Sequence, residues 1–167
     1  DANDKPVKIS IPPTLLVSGI GVMKHVEQAV SLDPKAVGDA VYLLGETKDE
    51  CGASEYYALN NALGNNVPET NGSTNFTLYK RLSEANKQRL IASALPVTLG
   101  GVGVALAKKS IASGLGMDID IKTDLRLDTF LFSESTGRVV VTIAPKDIES
   151  FENIFATTAT KIGTVTN

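Results

Sequence analysis

One stretch constrains the fold more than any other: Gly45 to Tyr57, which reads GETKDECGASEYY. An apolar run, Ala40-Val41-Tyr42-Leu43-Leu44, enters it, and a helix-like pattern from Tyr56 to Leu63 leaves it. That order of residue types makes a strand, a polar loop and a helix start. Ser54 sits where an N-cap side chain belongs. Strand ends that feed helix N-termini gather backbone N–H groups, and such groups collect anions. The same residues also read as a surface turn between two elements, because position in a fold does not itself confer function.

The flanking sequence supplies strands and helices in alternation. Val7, Ile9 and Ile11 alternate with Lys8 and Ser10 as a half-buried strand does, and Pro12-Pro13 stops it. Leu15-Leu16-Val17 is a second apolar run, ending in Ser18-Gly19-Ile20-Gly21, where glycine permits a tight turn or close approach to a ligand. Residues 22–31 fit a short helix or a strand. Turns fall at Asp33-Pro34 and Gly38-Asp39. Gly64 to Asn75 reads as an exposed loop, and Phe76 to Ala94 carries the longest helical pattern. Leu95 to Leu99 is extended; Gly100-Gly101 opens a helix from Val102 to about Ser113, which Gly114 closes. Met117, Ile119 and Ile121 alternate with Asp118 and Asp120 in an amphipathic strand. Val139 to Ile143 is a β-branched strand, Pro145 starts a helix bearing Ile148, Phe151, Ile154 and Phe155, and Lys161 to Thr166 is a last strand. Short amphipathic strands among helices argue an α+β fold, a mixed sheet covered by helices. The β-α-β patterns around 40–63 and 139–166 suit a partly ferredoxin-like core.

Composition narrows the chemistry. A chain of 167 residues fits one domain. Its net charge of -3 comes with scattered Lys and Arg, which leaves no electrostatic footprint for nucleic acid. The single Cys excludes an internal disulfide. No apolar run approaches the ~20 residues of a membrane helix, and the N-terminal DANDKPVK is not a signal peptide, so a cytoplasmic location is expected. Cys51 as a nucleophile needs a base, and the only histidine, His25, lies outside its loop. No CxxC, Walker loop or GxGxxG is present. Asp118 and Asp120 share a strand face that suits either a cation or solvent. The glycines say more together than singly. Gly52 with Ser54 opens one helix and Gly100-Gly101 another, each presenting unpaired N–H groups. If the two ends converge they form a phosphate pocket, to which Arg138 adds a bidentate donor.

Four strings carry a resemblance: GETKDECGASEYY; Leu16 to Gly21; Gly100-Gly101-Val102-Gly103-Val104-Ala105-Leu106-Ala107; and Phe132-Ser133-Glu134-Ser135-Thr136-Gly137-Arg138. From about Pro12 to Thr166 the chain resembles the last C-terminal-type domain of the phosphoribosylformylglycinamidine synthases, within the aminoimidazole ribonucleotide synthetase-like superfamily. The resemblance implies a purine-biosynthesis ligase. ATP and Mg²⁺ activate the formyl amide oxygen of formylglycinamide ribonucleotide, and ammonia from glutamine then gives the amidine. It implies that ATP and Mg²⁺ are held mainly by domains outside this chain. The implied partners are those remaining domains, a glutaminase subunit and a small accessory subunit, with neither nucleic acid nor membrane involved. Residues 1–11 would be a linker or first strand and 12–167 the domain itself, a fragment of a larger chain with its end cut short, inactive alone.

The resemblance also implies roles for residues. Ser18, Gly19, Gly52, Ser54, Gly100 and Gly101 would touch phosphate or substrate through backbone or hydroxyl groups. Glu134, Ser135 and Arg138 would shape the neighbouring loop, and no catalytic or metal-ligating residue is assigned. One departure bears on this. The family carries His-Asp-x-Ser-x-Gly-Gly where this chain has Leu95, Pro96, Thr98 and Gly100-Gly101, so the acid that helps hold Mg²⁺-nucleotide is missing. A second reading follows: a structural lobe that buttresses the catalytic half and docks partner subunits. A third is another ATP-using member of the superfamily.

Overall fold

The computed structural model describes residues 10–167. Five strands, β1 (Ala40–Leu44), β2 (Ser93–Pro96), β3 (Gly116–Ile119), β4 (Val139–Ile143) and β5 (Ala159–Thr166), form one sheet in the order β2-β4-β1-β5-β3. Five helices accompany them: α1 (Glu55–Leu59), α2 (Gly72–Lys87), α3 (Gly101–Ser113), α4 (Leu127–Phe132) and α5 (Ile148–Phe155).

The apolar runs of β1 and β4 explain the centre. Every residue of both strands is buried, which requires cover on both faces of the sheet. On one face α2 and α5 pack Leu78, Ala85, Phe151 and Phe155 against Tyr42, Leu44, Val139 and Val141. Phe151 lies 5.1 Å from Tyr42 and 4.6 Å from Phe155, ring centre to ring centre. The phenol of Tyr42 donates to Glu152 Oε1 at 2.5 Å, tying β1 to α5. On the other face α3 and α4 set Val102, Ala105, Leu106 and Phe130 on Val41, Leu43, Val140 and Ile162.

The α+β expectation holds, with one correction. Every strand pairing is antiparallel, where a mixed sheet was expected. β1 and β2 run parallel to each other with β4 between them, and β4 and β5 run parallel with β1 between them. These are two split β-α-β units, the ferredoxin-like arrangement, with β3 added outside β5. Strand direction depends on pairings far apart in sequence, which local patterning does not report.

Boundaries shift for identifiable reasons. α2 starts at Gly72, inside the expected loop, because Asn71 caps it by accepting from Thr74 N at 3.1 Å. It stops at Lys87, and Arg89 turns the chain with φ +58° so that Leu90 and Ile91 reach the core. Gly114 ends α3 in the left-handed conformation, φ +73°, as its position predicts. A 3₁₀ turn, Val26–Gln28, occupies the undecided 22–31 segment, and another, Pro145–Asp147, leads into α5. Val7 and Ile9 of the expected first strand lie outside the described residues. Ile11, Leu15, Leu16 and Val17 are exposed and belong to no regular element.

One buried charge was not anticipated. Lys109 of α3 is fully buried, and its Nζ donates to Leu32 O at 2.9 Å and Ser93 Oγ at 2.7 Å. Burial pushes its ammonium down to about 8. The unfolded chain therefore binds a proton that the native state sheds between pH 8 and the ordinary lysine value, so this group's contribution to stability rises with pH across that window. Comparing urea unfolding of wild type and Lys109→Met from pH 7 to 10.5 should show wild type gaining roughly 2–3 kcal/mol on the variant. Parallel curves for the two proteins would refute the assignment.

Candidate functional site

Three loops meet at one end of the sheet. The first leaves β1 at Gly45 and enters α1 (residues 45–54). The second leaves β2 and enters α3 (97–100). The third joins α4 to β4 (133–138). Gly45 turns the chain at φ +82°, where a Cβ would stand 2.6 Å from Gly137 O, so the first and third loops touch backbone to backbone.

The two glycine-opened helix starts do converge, and a side chain of the protein joins them. Glu134 Oε1 accepts from Gly100 N at 2.8 Å and from Glu55 N at 3.0 Å. A carboxylate thus receives one N–H from the entrance of each helix, the arrangement expected of a bound anion. Two more N–H groups at these entrances are spent within the protein. Gly52 N donates to Asn66 O at 2.7 Å and Gly101 N to Thr98 O at 3.0 Å. Ser54, 1% exposed, accepts from Tyr57 N at 3.2 Å and donates to Cys51 O at 2.7 Å, confirming it as the cap of α1.

The glycines serve close packing. A Cβ on Gly52 would lie 2.6 Å from Asn66 C, and one on Gly101, at φ +69°, 2.5 Å from Leu131 O and 2.6 Å from Ser133 O. Ser133 and Ser135 lock the third loop to the first. Ser133 Oγ donates to Lys48 O at 2.8 Å, Lys48 N donates to Ser135 Oγ at 3.1 Å, and the two hydroxyls lie 3.0 Å apart.

Arg138 lies beneath this lock, 1% exposed. Its Nε donates to Ser135 O at 2.9 Å, and its two terminal nitrogens to Ser133 O at 2.6 Å and Thr47 Oγ1 at 2.9 Å. Burial lowers the guanidinium to about 10, while Glu50, Cys51 and Glu134 oppose the shift. It remains charged at neutral pH, with its donors turned into the protein. Glu50 is itself buried, with Oε1 accepting from Glu69 N at 3.2 Å.

The sequence therefore identified residues that come together: Gly52, Ser54, Gly100, Gly101, Glu134, Ser135 and Arg138. Ser18 and Gly19 lie exposed in a stretch without regular structure and share no hydrogen bond with this junction. Sequence reasoning missed Thr47, Ser133 and the link from α1 to α4, where Tyr56 stacks on Phe132 at 4.9 Å and donates to Asp128 Oδ2 at 2.9 Å. Tertiary packing alone reveals that link. Cys51 is buried against Thr129 O at 4.0 Å, and burial, with Asp49 next, raises its thiol above the usual range. A thiol held protonated is a weak nucleophile.

The departure from the family string takes a structural form. Leu95 and Pro96 pair with Val140 and Val139 at the end of edge strand β2, a place where proline costs no ladder bond. Among the described residues, no group of three or more His, Cys, Asp or Glu could hold a metal ion. With the N–H groups of Gly52, Gly100 and Gly101 taken and no acid at Pro96, these residues do not by themselves fit a Mg²⁺-nucleotide.

Comparison with known proteins agrees with this architecture. The family described as AIR synthase related protein, C-terminal domain, matches residues 36–167. Phosphoribosylformylglycinamidine synthase subunit PurL of Alkaliphilus metalliredigens is 35% identical over 146 residues, 87% of this chain and 20% of that protein. The subunit of the same name from Limosilactobacillus fermentum is 36% identical over 159 residues, 95% of this chain and 21% of that protein. The chain thus spans about a fifth of the length of the curated relatives it matches. Among solved structures, PurL of Thermotoga maritima complexed with FGAR superposes with a TM-score of 0.72 at 18% identity, covering 84% of this chain and 26% of that one. HypE of Escherichia coli, a hydrogenase maturation protein, gives 0.61 at 16% identity, covering 83% and 46%. At these identities the likeness is one of fold.

Proposed function

Because the chain belongs to the AIR synthase related family as its C-terminal domain, we propose that it is one lobe of a phosphoribosylformylglycinamidine synthase. The whole enzyme would convert formylglycinamide ribonucleotide, ATP and glutamine to the amidine in the cytoplasm. A glutaminase subunit would supply ammonia, a small accessory subunit would complete the assembly, and Mg²⁺ would be held with ATP by other domains. Residues 12–167 form the lobe, and it does not turn over alone. In this reading Gly52, Ser54, Gly100, Gly101, Ser135 and Arg138 fix the shape of one cleft wall. Glu134 couples the two helix entrances, and the exposed Ser18 and Gly19 are free to meet substrate or phosphate.

The relatives' similarity over most of the chain carries this reading. The test is a chimera in which this chain replaces the matching fifth of PurL from Alkaliphilus metalliredigens, assayed for amidine formation dependent on ATP and formylglycinamide ribonucleotide. Activity within about tenfold of the parent is expected; a folded, assembled chimera with none would refute the reading.

One observation favours the buttressing form of this role over direct nucleotide contact: the N–H groups of Gly52, Glu55, Gly100 and Gly101 already have protein acceptors. ADP with Mg²⁺ titrated into the 167-residue chain should then show no saturable binding. Saturable binding abolished by Gly100→Ala would restore the contact reading.

A further inference from the structure

The sequence holds a single Asn-Gly pair, Asn71-Gly72, and it falls at the start of α2. Both residues are exposed. Asn71 is the cap: its Oδ1 accepts from Thr74 N at 3.1 Å and from Ser73 Oγ at 2.9 Å. Gly72 is the first helical residue, so its N–H has no acceptor within the helix, and among the described residues no other carbonyl takes it. Nothing in the fold calls for glycine at this position. Its φ is not left-handed, and a Cβ there would meet nothing within 4 Å. Alanine would serve the first turn of a helix better.

We infer that Asn71 is a site of spontaneous covalent modification, gated by the first turn of α2. The backbone nitrogen of Gly72 adds to Asn71 Cγ and the Cγ–Nδ2 bond breaks. Nδ2 leaves as ammonia, carrying the proton from Gly72 N, and a five-membered imide remains. Water opens that ring at Cγ to give aspartate, or at the main-chain carbonyl to give isoaspartate, whose backbone runs on through Cγ. Glycine favours the first step because no β-carbon screens its nitrogen. Ring closure turns the Asn71–Gly72 peptide plane away from the ψ of 100° that Asn71 holds. Both cap bonds oppose that turn, so the reaction runs from molecules whose first helical turn has opened, and helix ends are where opening costs least.

The two products act differently. Aspartate keeps an acceptor for Thr74 N and places negative charge where the helix dipole favours it. Isoaspartate lengthens the backbone by one carbon and takes the acceptor out of register. The start of α2 is packed on the loop of residues 133–138: a Cβ on Gly137 would clash with Asn75 Oδ1, and Thr136 Oγ1 donates to Glu69 O at 3.0 Å. Uncapping α2 therefore loosens the outer side of that loop.

Ageing the folded 167-residue chain in neutral buffer, with peptide mass spectrometry and enzymatic isoaspartate methylation as readouts, tests this. Asn71 should convert at least about tenfold faster than any other asparagine of the folded chain, yet more slowly than in a free peptide of residues 68–76, which has no cap to open. Gly72→Ala should slow conversion at least about tenfold without lowering the unfolding midpoint. The isoaspartyl fraction should unfold at lower urea than Asn71→Asp. Asn71 intact in the folded chain after the peptide has converted, or equal rates in wild type and Gly72→Ala, would overturn the site. Equal rates in chain and peptide would overturn the gate, and equal midpoints for isoaspartyl protein and Asn71→Asp would overturn its effect on α2. None of these measurements involves amidine formation, so they stand apart from the ligase reading.

Discussion

Gly101→Ala is expected to lower the unfolding free energy by about 3–5 kcal/mol, a large share of the ~5–15 kcal/mol that a domain commands. Two costs add. The left-handed φ of +69° charges any β-carbon, at about 1–2 kcal/mol. The new methyl also meets two backbone carbonyls, Leu131 O at 2.5 Å and Ser133 O at 2.6 Å. Those carbonyls cannot step aside, because Ser133 O is held by Arg138 and Leu131 belongs to α4. Gly114→Ala is the matched control: φ is +73° there, but nothing lies within 4 Å of the added carbon. That variant should lose only about 1 kcal/mol. Urea unfolding monitored by circular dichroism measures both, and equal losses would show that the contact with the third loop does not constrain the fold.

Arg138→Met should cost about as much, roughly 3–5 kcal/mol. The methionine approximates the volume and removes the charge, so the desolvation cost of a buried guanidinium disappears. Against that gain, Ser133 O, Ser135 O and Thr47 Oγ1 lose their donor. Each buried acceptor left without a partner costs on the order of 1–3 kcal/mol. Arg138→Lys should recover only part of the loss, since one ammonium cannot span three acceptors set around a planar fork. A destabilisation of Arg138→Met below about 1 kcal/mol would mean that the lock closes without the guanidinium.

The contrast between these residues shows what the amino-acid order reveals. β1 and β4 were legible because five consecutive buried positions leave no room for polar alternation. α3 was legible because glycines bracket it and its cap chemistry is local. α4 was not. It has no side-chain cap, and what holds it is a stack on Tyr56 and a hydroxyl bond to Asp128, contacts between distant parts of the chain. The convergence of the two helix entrances was legible as a condition, but its occupant was not, because Glu134 meets Gly100 and Glu55 only once the third loop is in place. Arg138 read as an outward donor. A signal for the inward role did exist: it directly precedes Val139 to Ile143, where both sheet faces are closed, so a long polar side chain there must find its partners inside. Lys109 carried a similar signal among the apolar residues of α3.

The threading of the sheet has a consequence for how such a chain is made. β1 sits at the middle, yet both of its neighbours, β4 and β5, belong to the last third of the sequence. A ribosome therefore releases a wholly buried strand of the sheet long before anything exists to flank it. Until the final segment emerges, Ala40 to Leu44 must be shielded by something other than its native partners, and a nascent chain halted before Val139 should be a strong client for holdase chaperones.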